Sequence, residues 1–273
     1  MSTRRAGTER VSVSAICTFD WSLEEDLAFY AEHGLTNVGI SLVKLERHGW
    51  IDGAARVRDA GLRVTNLIGL GPFHLANPEQ WGQQRERLMH ALDAGVTVGA
   101  ECLVVTTGPA GPLSWEAAAD ALEAALAPVL GDARERSLPF ALEHTNSLRV
   151  DVGFVHTLAD VVDLARRLDV GVCMEINACW AERGLGATIA AAMDRIRLVQ
   201  VSDFAVGTLS TPNRLVPGDG DIPLARILGQ VLETGYDGCF DLELIGPAIE
   251  AEGYDTAIPR AVDRLAELLA SLA

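Results

Sequence analysis

The chain has 273 residues, 49% of them hydrophobic and 22% charged. That composition excludes wholesale disorder, collagen-like repeats and low-complexity architecture. Twenty-two basic residues against 38 acidic ones leave a formal charge of −16, and a polyanion repels nucleic acid and anionic membranes alike. Neither is therefore expected as a partner.

Five scattered cysteines, Cys17, Cys102, Cys173, Cys179 and Cys239, do not make a disulfide framework, and no CxxC pair suggests a structural zinc. The stretch 1–10 carries positive charge with no apolar run behind it, so it does not read as a secretory signal. It reads as a flexible tail. No apolar stretch approaches the roughly 18 residues of a membrane span. The expectation is a reduced, cytoplasmic protein.

One alternation runs through the chain. Short β-branched runs at 11–17, 37–41, 63–70, 102–107, 140–144, 171–176, 197–202 and 240–244 read as strands. Helical periodicity fills 23–33, 78–94, 115–132, 157–168, 185–192, 222–234 and 257–272. Ser22 with Glu25 three residues later forms a capping-box pattern, and Gly34 supplies the stop. Strands alternating with helices imply parallel pairing with right-handed crossovers. About eight units over this length predict one (β/α)8 TIM barrel across 1–273, with an open doubly wound sheet as the rival. The first strand–helix turn has no GxGxxG, so no dinucleotide fingerprint supports that rival.

A barrel of this kind places its site at the C-terminal strand ends. Strands five to eight each carry an acid or amide there: Glu143, Glu175, Gln200 and Glu243. Ionised carboxylates converging in a barrel mouth are costly unless neutralised. A divalent cation would neutralise them, and oxygen donors suit Mg, Mn or Co. His144, Lys44 and His74 lie at or just beyond strand ends, as base or substrate contacts. Asp203 ends the seventh-strand motif and could orient a ligand. Trp115, opening a helix near the mouth, offers an apolar wall.

These residues resemble the xylose isomerase-like TIM barrels, the sugar phosphate isomerase/epimerase family. The likeness rests on the fifth-strand Glu in LEHTN, on the 216–222 segment VPGDGDI, and on Glu243 in DLELIGP. It implies one divalent metal held by Glu143, Glu175, Gln200 and Glu243, with Glu143 and Glu243 also moving protons. It also implies a substrate-contacting arginine at Arg214. Gln200 stands where the family more often has His, Glu175 where it more often has Asp, and Ala178 where it has a further His.

The expected function is a metal-dependent isomerase or epimerase of a keto-sugar, cyclitol or similar polyhydroxy carbonyl compound, acting through an enediolate. One alternative is a dehydroshikimate dehydratase-like lyase that eliminates water from a β-hydroxy ketone, toward which Gln200 leans. Another is a drifted barrel that binds a ligand without catalysis. Barrels of this sort often pair, so a homodimer or homotetramer is expected.

Overall fold

The computed structural model describes residues 7–70 and 73–272. Eight parallel strands close into a barrel in sequential order, β1 pairing with both β2 and β8. They are β1 (Val11–Ser14), β2 (Asn37–Ser41), β3 (Arg63–Ile68), β4 (Leu103–Thr106), β5 (Phe140–Glu143), β6 (Gly171–Glu175), β7 (Ile196–Val201) and β8 (Phe240–Leu242). The ring outside them comprises α1 (Leu23–His33), α2 (Leu42–His48), α3 (Trp50–Asp59), α4 (Trp81–Val98), α5 (Trp115–Glu135), α6 (Leu158–Leu168), α7 (Ile176–Cys179), α8 (Leu185–Ala192), α9 (Leu224–Glu233), α10 (Pro247–Glu252) and α11 (Tyr254–Ser271). All eight expected strands form, within a few residues of their expected bounds. Residues 1–6 of the expected tail lie outside the described residues. Arg10 is anchored, donating to the carbonyls of Tyr236 and Gly238.

Local chemistry explains the helix ends. Ser22 and Glu25 close the capping box of α1, and Gly34 ends it at φ 64°. Ser114 and Thr157 cap α5 and α6 through their side-chain oxygens.

The strands are buried on both faces, as parallel strands wrapped by helices must be. Their outward residues and the helices share one apolar layer. Their inward residues include a smaller cluster with Ile68, Val104, Ala141, Cys173 and Leu198.

The main departure lies after β2, where Lys44 was expected at the mouth. Ser41 instead accepts the Lys44 backbone N–H and starts α2 directly, and α3 follows. This carries Lys44 away from the mouth. Its Nζ donates to Asp26 Oδ2 at 2.6 Å and to the carbonyl and hydroxyl of Thr18, in a site closed to solvent. Lys44 is therefore a buried ion-pair partner that ties α2 to α1, and its assignment as a base is corrected.

Removing one member of such a pair strands a buried charge, which costs about 3–5 kcal/mol. Lys44→Met should lower stability by that amount in urea denaturation. Adding Asp26→Asn should recover part of the loss.

Candidate functional site

The C-terminal strand ends open on a cavity of about 470 Å³. Glu143 ends β5, Glu175 ends β6, and Glu243 directly follows β8. Side chains alternate along a strand, and Ala141 and Cys173, two positions earlier, belong to the barrel interior. Glu143 and Glu175 therefore point inward at the mouth. The three carboxylates each present an oxygen within 4.8 Å of the others, and all three are buried.

Arg214 reaches them from the long connection between β7 and α9. Its Nη1 lies 2.6 Å from Glu175 Oε2 and 2.9 Å from Glu243 Oε2, and it also donates to the Glu243 carbonyl. One guanidinium cannot neutralise three carboxylates. Burial, with Glu243 and Glu175 close by, pushes Glu143 well above the ordinary carboxyl range. Burial also pushes Glu175 up to about 7, against the pull of Arg214. Burial opposes the charge on Arg214, but the three carboxylates outweigh it and hold the guanidinium charged. A further carboxyl, Asp241, lies two residues below Glu243. It is fully buried, and burial pushes it up to about 7 despite Ser12 and Asn66.

The loop carrying Arg214 is built around Asp203. Its carboxylate accepts the backbone N–H groups of Phe204, Gly218 and Ile222 at 2.9–3.0 Å. Gly220 passes so close that a Cβ there would overlap Asp203 Oδ1. This is the physical content of the VPGDGDI segment: its backbone wraps a buried carboxylate. Asp203 thus orients the loop rather than a ligand. Asp203→Ala would leave three N–H groups without their acceptor, at about 1–3 kcal/mol for each one left unsatisfied. A loss of several kcal/mol in thermal or urea unfolding is the expected result.

The other expected residues lie elsewhere. The Gln200 oxygen accepts from the Cys173 thiol at 3.2 Å inside the barrel, and Gln200 does not line the cavity. His144 is fully buried, and its Nε2 accepts the backbone N–H of Glu175 at 3.2 Å. Burial pushes it down to about 3, so it is a neutral brace for β6 rather than an acid or base. His74 lies in a separate surface groove with Trp50, Arg87 and His90. Trp115 packs edge-on against Phe154 and does not reach the cavity.

Sequence reading missed Asn146 and Asn177, which line the mouth with Thr145 and Arg149. Their signal was present: each asparagine follows a strand-end Glu by two or three residues.

The family model of the xylose isomerase-like TIM barrel matches residues 27–270. The chain belongs to this family. Among curated relatives, the inosose isomerase of Halalkalibacterium halodurans is 26% identical over 152 residues. That match spans 52% of this chain and 53% of the relative, about half of each. Protein SMc04130 of Sinorhizobium meliloti superposes with a TM-score of 0.86 at 26% identity, covering 96% of this chain and 98% of the other. The IolI protein, in a crystal structure with a bound zinc atom, superposes with a TM-score of 0.82 at 17% identity, covering 97% and 99%. At that identity the second structure speaks to the fold alone.

The acid cluster of this xylose isomerase-like barrel has a signature in stability. Folded Glu175 holds its proton up to about 7, whereas an ordinary glutamate releases it near 4.5. Between those values the folded chain binds more protons than the unfolded one, so stability falls as pH rises through that window. Denaturation midpoints of metal-free protein from pH 4.5 to 7 should decline, and Glu175→Gln should make the decline shallower, with Asp241 and Glu143 sustaining the rest.

Proposed function

We propose that the chain is a divalent-metal-dependent isomerase or epimerase of a keto-sugar, cyclitol or similar polyhydroxy carbonyl compound. The observation that carries this reading is the convergence of Glu143, Glu175 and Glu243 at the cavity floor. Three buried carboxylates against one guanidinium are short of positive charge, and hard oxygen donors suit a divalent cation. The donor set therefore fits such an ion, held by Glu143, Glu175 and Glu243. Gln200 would have to release Cys173 before it could join them. The half-length match to an inosose isomerase supports the same class of chemistry.

When bound, the ion would polarise the substrate carbonyl and stabilise the enediolate that follows proton loss. The chain's own residues do the rest. Glu143 and Glu243 come from non-adjacent strands and flank one volume, so one carboxylate can take the proton alpha to the carbonyl while the other returns one. Arg214, held between Glu175 and Glu243, is placed to bind a substrate oxygen. Asn146 and Asn177 offer amides to further hydroxyls. The lean toward water elimination rested on Gln200, whose oxygen is turned to Cys173, so isomerisation is the reading retained.

With inosose or a ketohexose in deuterated water, Mn-loaded protein should wash deuterium into the position alpha to the carbonyl, with no rise in ultraviolet absorbance. A rise would mean elimination instead. Glu143→Gln or Glu243→Gln should cut turnover by about 10²–10⁴ and weaken Mn binding in calorimetry. Wild-type rates in either variant would overturn the assignment.

A further inference from the structure

Glu243 differs from the other two acids in how its backbone is held. Glu143 and Glu175 are the last residues of their strands, but β8 ends at Leu242, so Glu243 lies beyond it. Toward β7 the ladder continues, because the Glu243 N–H donates to the Val201 carbonyl at 3.2 Å. Toward β1 it stops: the last aligned pair is Val13 with Leu242. Every second residue of a parallel strand bonds a given neighbour, so the Leu244 N–H is the next donor on that side and the Ser14 carbonyl its natural acceptor. The chain turns there, and the Ser14 carbonyl accepts the Cys17 N–H at 3.0 Å. The Cys17 side chain takes its place. Its Sγ accepts the Leu244 N–H at 3.1 Å and donates to the Leu242 carbonyl at 3.3 Å. The residue is 2% exposed, and burial pushes its thiol far above the ordinary range, so it keeps the proton it donates.

One thiol thus bonds the peptide groups on both sides of Glu243. The Glu243 carbonyl itself accepts from Arg214. The backbone that aims this carboxylate is tied toward β7, toward Arg214 and, through Cys17, toward β1. Cys17 does not line the cavity. We propose that Cys17 is a positioning residue of the acid cluster: its thiol, bonded to Leu242 and Leu244, fixes the direction in which Glu243 enters the mouth and so sets the affinity of the cluster for a divalent ion. This rests on the metal-dependent reading above and deepens it. Serine at position 17 would keep a donor and an acceptor. Alanine or valine would leave the Leu244 N–H, in a fully buried residue, without its acceptor, and the segment would shift to find another.

The test is calorimetric binding of Mn alone to the full chain and its variants. Groups that orient metal ligands carry about 10–100-fold in affinity, and Cys17→Ala should weaken Mn binding by about tenfold. Cys17→Val refills the volume without a donor or acceptor and should stay as weak. Cys17→Ser restores both and should recover most of the loss. Serine above valine separates positioning from packing, and that order decides the question even where the alanine variant does not fold. Cys102→Ala removes the same group just before β4, at the opposite end of the barrel, and should leave Mn affinity unmoved. Without metal, the Leu244 amide should exchange with deuterated solvent faster in Cys17→Val than in the wild type. Mn affinity unmoved in Cys17→Ala and Cys17→Val, valine restoring what serine does not, or unchanged exchange at Leu244 overturns the inference and leaves the metal-dependent reading standing. Failure of Mn to bind the wild type overturns both.

Discussion

Three carboxylates and one guanidinium share the mouth of this barrel, largely shielded from bulk water. Isolating even one charge in such a place is expensive, and like charges packed side by side raise the cost further. The molecule meets that cost partly by pairing Arg214 with Glu175 and Glu243, and partly by holding Glu143 and Glu175 more readily protonated than ordinary carboxyls. What remains is a concentrated affinity for positive charge at the floor of a solvent-connected cavity. That affinity is what a metal-assisted proton transfer requires, and it persists only because rigid strands prevent the carboxylates from moving apart.

The rest of the architecture supplies that rigidity. The apolar layer between strands and helices fixes the strands in register. His144, buried beside β6, accepts the Glu175 backbone N–H and so braces the end of that strand. Asp203 gathers three backbone N–H groups and holds the loop from which Arg214 reaches inward. The Asp26–Lys44 pair locks α1 to α2. His144, Asp203, Asp26 and Lys44 do not line the cavity, yet each braces an element that does.

The strand–helix alternation was readable along the chain because period and capping are local properties. The same is true of the inward acids, since a Glu at the end of a β-branched run must lie at the mouth once the barrel closes. The errors share one origin. Lys44, His74 and Trp115 were placed at the mouth by their distance from a strand, but α2 begins within one residue of β2 and rotates Lys44 outward toward Asp26. Gln200 is aligned with Glu175 in the sheet register, yet its amide bonds Cys173 inside the barrel. Strand position alone could not reveal that partner.

Sequence periodicity was thus sufficient for the strand–helix alternation and for placing Glu143, Glu175 and Glu243 at strand ends, because each is a property of residues close together in the chain. It was insufficient for the partners of those carboxylates. Arg214 lies 29 residues from Glu243 and comes within 2.9 Å of it only through the wrapped Asp203 loop. Which charges meet in a closed barrel depends on distances across its ring, and those exist only after all eight strands have paired.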